Sequence, residues 1–430
     1  MAEERVLWTK TDSATFEVDY GANRKSAYKS FSPEDIARAY QLASGDEDPS
    51  AHIENPLQRD SQRSLFWREY NLLKAFQGSG YVPQLVGGPD RNHLRINMSY
   101  IEYRTFQDAF SEMSEGEIIS ATQEIVQFLG RFQDYVLSNF QRILQVANEG
   151  RDRLTRRTFR DEHQTLEKYL VNIAFSYGTQ FRSTVSYVEM DTLSYDYQAR
   201  SRAVLSFFKD HRLNLNSKAG YLVNHERNAV GEARVFSHGD WRPQNIFGVT
   251  EEGKFVGQAV CDFDKVQLHG RAPVYDLASG IFHPYLFPLT RDKMQFAVNT
   301  AKEFLRGQGH LGEELDNQVA LFIGESLLLL LRDFAVKTIM PYSEIQRFAP
   351  KQQTKGMNKD HYLATTSLAG LELLLSEVQR GDVFEMAVKP SKKYQGYVVG
   401  QAKCISKILR TSGVQSKKIL EDLSRRKNGS

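Results

Sequence analysis

The segment SHGDWRPQNIF, residues 237–247, sets a His, an Asp, an Arg and an Asn within eight positions, and GQAVCDFDKV, residues 257–266, follows after a short turn. Charged and amide side chains set between apolar runs are costly to bury unless they pair, hold a cation or do chemistry. Asn245 and Asp262 supply hard oxygens of the kind Mg²⁺ takes, one or two from protein and the rest from phosphates and water. Asp240, five residues before Asn245, is a carboxylate that can accept the proton of an attacking hydroxyl. A base for the nucleophile and a metal for the phosphate charge together suit phosphoryl transfer.

These residues need elements to position them. NIFGV and FVGQAVCDF read as strands and TEEGK as the turn between them, so a hairpin brings Asn245 near Asp262 and leaves Asp240 at its mouth. Upstream, TFEVDY and SAYKSF alternate around a Gly-Ala-Asn turn and read as a second hairpin within a stretch of strand character from about residue 5 to 31. The sequence beginning Ser32-Pro33-Glu34-Asp35 carries a helix-start signature, and its continuation to Ser64 reads as an exposed loop. LFWREYNLLKAF places Phe66, Tyr70, Leu73 and Phe76 at helical spacing, and YVPQLVGGPDRNHLRINMSYIE reads as two strands joined by a turn. Helical patterns dominate from about Phe106 to Asn224 and again from about 290 to 385. The expectation is an α+β chain: a small antiparallel-sheet unit with one helix over 1–104, a mainly helical unit over 105–388, and a basic tail over 389–430.

Composition narrows the classes. Hydrophobic content of 41%, charged content of 25% and 430 residues describe an ordinary globular chain with room for two or three domains. The net charge of +2 gives no case for a nucleic-acid partner. Two cysteines, Cys261 and Cys404, argue against a disulfide framework and for a reducing, cytoplasmic compartment. MAEERVLWTK has acids where a secretory leader needs basic residues. ALFIGESLLLLLRDFAV is interrupted by Glu325, Arg332 and Asp333, so it reads as a buried helix and no membrane span is expected. The tail from Lys389 to Lys427 holds eleven Lys or Arg against two acids, which fits a solvated helix or an anionic surface.

The assembly resembles the aminoglycoside phosphotransferase and choline kinase family, relatives of the protein kinases. The motifs of that family, His-Gly-Asp…Asn, Asp-Phe-Asp and a Tyr-Asp-Leu-Ala-like segment, stand here as HGDWRPQN, CDFD and VYDLASG. The resemblance implies a bilobal protein-kinase-like fold binding ATP, or GTP, with Mg²⁺. It implies that Asp240 is the catalytic base, that Asn245 and Asp262 are the metal ligands, and that His238 braces the catalytic loop. Asp264 would assist the metal or cap a turn, and Asp276 would accept hydrogen bonds from the catalytic-loop backbone. Arg242 stands where many protein kinases carry a Lys that contacts the γ-phosphate; a salt bridge is its alternative. Lys29, in SAYKSF, would bind the α/β-phosphates with Glu69 of the following helix as its partner, Glu54 also being in range. NMSYIEY matches the family's hinge, where the backbone from Ser99 to Ile101 would bond the adenine. No Gly-x-Gly-x-x-Gly covers the phosphates, Gly21 standing in its place, the insertion between Lys29 and Glu69 is long, and GRFQDY stands where relatives often carry a His. The resemblance spans roughly residues 10–110 and 230–290; the helical segments at 110–230 and 290–385 match no subfamily.

The acceptor implied is a hydroxyl of an aminoglycoside-, choline- or sugar-like molecule. SYVEMDTLSYDYQ, with Glu189, Asp191, Asp196 and three tyrosines, would suit a cation and equally an exposed helix. Two other readings use the same residues: a kinase-like enzyme with a protein acceptor, and a nucleotide-binding module without turnover. A degenerate module would have lost one of Lys29, Asp240, Asn245 or Asp262, and all four are present. A metal-dependent hydrolase would need a His-rich or multi-carboxylate cluster, and the segment holds one His.

Overall fold

Alternating apolar residues build a four-stranded antiparallel sheet in the order β1 (Glu3–Thr9), β2 (Ala14–Asp19), β3 (Lys25–Ser30), β4 (Arg95–Ser99). The computed structural model describes residues 3–9, 14–20, 25–32, 34, 35, 38, 39, 56–110, 112–147, 235–251, 254–263, 266–271, 274–282, 289–337, 362–383 and 389–411. Gly21, Glu54, Asp264, the acidic and aromatic segment at 186–198 and the tail beyond Thr411 lie outside them.

The register decides which face each side chain takes. Phe16 pairs with Tyr28 on one face, where their rings stack at 4.9 Å between the centroids. Arg38 lies over Phe16 at 4.7 Å and Arg95 over Tyr28 at 4.8 Å, so two guanidinium groups cap the aromatic pair. Asp35 takes both arms of Arg95, at 2.6 and 2.7 Å. Burial alone would push its carboxyl up, but the hydrogen bonds from Arg95 and Ser30 and the neighbouring guanidinium charges together hold it below the usual carboxylate range. On the other face Lys29 pairs with Ile96 and Ala27 with Met98, so the lysine points with these apolar side chains toward the main core. Helix α1 (Pro56–Phe76) meets that face through Phe66, Glu69, Leu72, Leu73 and Phe76, all buried at three- and four-residue spacing. It begins at Pro56, well inside the stretch read from sequence as loop, with the proline at a position where its missing N–H costs nothing.

One strand expected from sequence is absent from this sheet. The YVPQLV run makes only an isolated bridge from Leu85 to Met98, with the Val86 N–H donating to the Asn97 carbonyl at 2.9 Å. Pro83 has no N–H to give a ladder, and Tyr81 is drawn elsewhere. Its carbonyl accepts from the Val260 N–H at 2.8 Å, and its ring packs against Phe128, Phe132 and Tyr135.

The described residues beyond the sheet are mainly helical. After β5 (Arg104–Thr105) come α2 (Phe106–Phe110), α3 (Glu115–Ser138) and α4 (Phe140–Ala147). A capping box starts α3, Ser114 and Glu117 satisfying each other's backbone N–H groups. Then come β6 (Val235–Ser237), a 3₁₀ turn (Pro243–Asn245), β7 (Ile246–Glu251), β8 (Lys254–Val260) and β9 (Gln267–Arg271). β7 and β8 form the expected hairpin, extended by β5, and β6 pairs with β9 in a separate ribbon. Among the described residues five helices follow: α5 (Tyr275–Phe282), α6 (Arg291–Gly307), α7 (Gly312–Lys337), α8 (Tyr362–Arg380) and α9 (Lys392–Thr411). The apolar run from Val319 to Leu331 is buried in α7, which packs against the other four. The fold is α+β and bilobal, a sheet unit followed by a helical one. Among the described residues no helix is long and apolar enough to cross a membrane.

The β7–β8 hairpin is tightly built. A Cβ at Gly248, beside the register shift between β7 and β8, would lie 2.2 Å from the Val256 carbonyl oxygen. Because that neighbour is backbone, Gly248→Ala is expected to destabilise the protein by about 1–3 kcal/mol, read as a lower midpoint of urea unfolding.

Candidate active site

Lys29 stands at the centre of a buried charge cluster. Its Nζ lies 2.6 Å from Glu69 Oε2 and 2.7 Å from Asp262 Oδ1, joining β3, α1 and the segment after β8. All three residues are nearly inaccessible, with exposures of 7%, 2% and 7%. One ammonium lies between two carboxylates, and the two short, direct contacts offset part of the cost of removing these groups from water. Asp262 itself has φ +68°, in the left-handed region that non-glycine residues seldom adopt. The next side chain is packed beside it, the Phe263 ring lying 5.1 Å from both Phe76 and His238.

The loop leaving β6 is fixed from below by Asp276 in the first turn of α5. Its carboxylate accepts from the His238 N–H at 2.6 Å, the Gly239 N–H at 2.8 Å and the Ser237 hydroxyl at 3.1 Å. Gly239 has φ +79°, which accounts for the glycine between His238 and Asp240. Trp241 anchors the outer side, stacking on Phe132 at 5.9 Å and lying so close to Gly280 that a Cβ there would meet its ring at 3.0 Å.

His238 is fully buried within this loop, and its tautomer is set by its partners. The Asp240 N–H donates to Nδ1 at 3.3 Å, so Nε2 carries the hydrogen and donates to the Cys261 carbonyl at 3.1 Å. Burial holds the imidazole below its ordinary value, outweighing the carboxylates of Asp276, Asp240 and Asp262, which favour the charged form. The unfolded chain therefore takes up a proton that the folded one resists. Stability from this group is complete above about pH 6.5 and falls as pH drops below it, by at most about 1.4 kcal/mol per pH unit. The urea midpoint of the wild type is expected to fall more steeply from pH 7 toward pH 5 than that of His238→Gln.

Above the brace, Asp240 Oδ1 forms an ion pair with Arg242 Nε at 2.6 Å, both side chains largely enclosed. Asn245 donates from Nδ2 to the Asp240 carbonyl at 2.9 Å. Its backbone N–H donates to the Arg242 carbonyl at 2.9 Å, and its carbonyl accepts from the Cys261 N–H at 3.0 Å. Cys261 thus ties the strand before Asp262 to both His238 and Asn245.

Of the residues singled out from sequence, the structure gathers seven into two linked groups, with Asp276 beneath the second. Lys29, Glu69 and Asp262 form one; His238, Asp240, Arg242 and Asn245 form the other. Ser99 and Ile101 stand apart. The Ser99 N–H donates to the Gln84 carbonyl at 2.7 Å and its hydroxyl accepts from the Gln84 N–H at 2.9 Å, so that N–H is committed within the protein. Ile101 lies two residues beyond β4 and is half-buried. Sequence reasoning misses Arg68, which donates to the Val266 carbonyl just past Asp262. An arginine on a helical pattern gives no signal to separate it from a solvated one.

No family model matches the chain, and no curated protein matches it in sequence. Among solved structures it is similar to the gentamicin complex of APH(2")-IIa, with 15% identity over 86% of this chain and 91% of that one and a TM-score of 0.41. It is similar also to the GDP complex of wild-type aminoglycoside 2'-phosphotransferase-IIIa, with 12% identity over 86% and 92% and a TM-score of 0.42. A third is choline kinase from Cryptosporidium parvum Iowa II, with 7% identity over 92% and 93% and a TM-score of 0.43.

Proposed function

We propose that this chain is a nucleotide-dependent phosphotransferase of the aminoglycoside phosphotransferase and choline kinase type, moving the γ-phosphate of ATP or GTP to a hydroxyl of a small molecule. The observation that supports it most is the buried Lys29 held by both Glu69 and Asp262 and joined through Cys261 to the loop of Asp240 and Asn245. A buried ion-pair cluster adds little net stability over apolar packing, so its presence here calls for a functional reason.

In this reading Lys29 donates to phosphate oxygens of the nucleotide, and Glu69 orients it. Asn245 Oδ1 and the Asp262 carboxylate are hard oxygens that would hold Mg²⁺, and the ion would supply positive charge to offset that of the phosphates. Asp240 accepts the proton of the acceptor hydroxyl as the oxygen attacks. Arg242 pairs with that carboxylate and sets a positive charge beside it. His238 and Asp276 hold the loop backbone, so that Asp240 is preorganised rather than ordered by the substrate. The Tyr100–Ile101 backbone, beyond the committed Ser99 N–H, is the part of the hinge assigned to adenine. The acceptor assigned is an aminoglycoside-, choline- or sugar-like alcohol.

The test is nucleotide consumption by the full chain with Mg²⁺ and ATP or GTP, against a panel of amino-alcohols, aminoglycosides, sugars, nucleosides and generic proteins. One small alcohol is expected to raise turnover above the background. Stimulation by a protein alone would contradict the small-molecule acceptor, and a chain that neither binds nor consumes Mg-nucleotide would contradict the enzyme.

A further inference from the structure

We infer that Arg68 is a positioning residue for the Asp262 turn, clasping α1 to the start of β9; its role in catalysis rests on the phosphotransferase reading above. Arg68 precedes Glu69 on α1, and the two residues reach the same segment by different routes. Glu69 holds it through Lys29 and Asp262, while the Arg68 guanidinium donates directly to the Val266 carbonyl. Between these points the Val266 N–H donates to the Phe263 carbonyl at 3.3 Å, with Phe263 and Val266 both fully buried.

The register of β9 shows which segment the clasp steadies. Gln267, the residue after Val266, pairs with Ser237 of β6, and Ser237 leads directly into His238, Gly239 and Asp240. Arg68 therefore sits where the metal-ligand turn hands over to the strand that supports the catalytic loop. The left-handed backbone at Asp262 makes this turn the place where loss of a restraint is felt first. A charge-assisted hydrogen bond to a carbonyl at the far end restricts the alternatives open to Asp262 without touching substrate.

The experiment compares full-length wild type, Arg68→Ala, Arg68→Lys and, as a control, Arg131→Ala, whose guanidinium pairs with Glu124 on the exposed side of α3. Amide hydrogen exchange without nucleotide is read alongside the Mg²⁺ concentration that gives half-maximal thermal stabilisation by ATP. Arg68→Ala should exchange faster at 235–237 and 267–271 with α7 unchanged, and should need roughly tenfold more Mg²⁺. Arg68→Lys, which keeps the charge and loses the fork, should fall between and decides the matter if the alanine variant does not fold. Exchange and Mg²⁺ dependence that match wild type in the Arg68 variants would overturn the positioning role alone. A wild type that Mg²⁺ and ATP do not stabilise would overturn the phosphotransferase reading and the role with it.

Discussion

Asp240→Ala is expected to lower kcat by about 10²–10⁴-fold, the range a general base contributes, while Mg-nucleotide still binds. The reason is positional. Asp240 lies on a loop whose backbone is held by Asp276 and His238, and its carbonyl, not its carboxylate, holds Asn245. Removing the carboxylate therefore leaves the Asn245 amide where it is. It does strand Arg242 in a largely enclosed position, so Asp240→Asn, which keeps the volume and a polar oxygen, separates loss of the base from loss of the pair. Initial rates with the stimulating acceptor and calorimetric nucleotide binding check both halves. A kcat near the wild-type value in either variant removes Asp240 from the chemistry.

Lys29→Met carries the largest expected effect on the folded state. It leaves Glu69 and Asp262 facing one another, nearly inaccessible and without the ammonium that both contact. Breaking a buried pair by deleting one partner costs about 3–5 kcal/mol, a large share of the stability of most domains. Mg-nucleotide affinity should fall as well, since the same ammonium is assigned to the phosphates. Lys29→Met/Glu69→Gln is expected to regain part of the lost stability and none of the affinity. Urea unfolding of the single and double variants, analysed as a cycle, decides this, and additive losses would show that Lys29 and Glu69 do not act as a pair.

The site is legible in the sequence where charge interrupts an apolar pattern. Lys29 between Ala27, Tyr28 and Phe31, and the polar residues before and after the β7–β8 hairpin, announce themselves because such residues are not buried without cause. The hairpin is readable from its own turn, and it places Asn245 and Asp262 by local geometry alone. The features that escape a sequence reading depend on contacts between distant segments. The run at 81–86 has strand composition, yet Tyr81 is claimed by β8 and α3, and Pro83 denies it a ladder. β6 is three residues long and pairs with β9, a partner no local pattern indicates. Within the hinge backbone from Ser99 to Ile101 expected at the adenine, the Ser99 N–H is engaged by Gln84, and Asp262 takes a left-handed conformation that no glycine in the sequence signals. The bilobal α+β class is readable from the order of strand and helix patterns, because that order needs only periodicity.

The central claim is that Asp240 directs a γ-phosphate onto an acceptor hydroxyl. Mass and ³¹P analysis of the acceptor, after incubation with Mg-nucleotide and wild type or Asp240→Ala, tests it most directly. A phosphate ester on the acceptor with wild type, and none with Asp240→Ala over the same time, is the predicted result. Nucleotide consumed by wild type with only inorganic phosphate released, or equal ester formed by both proteins, would contradict it.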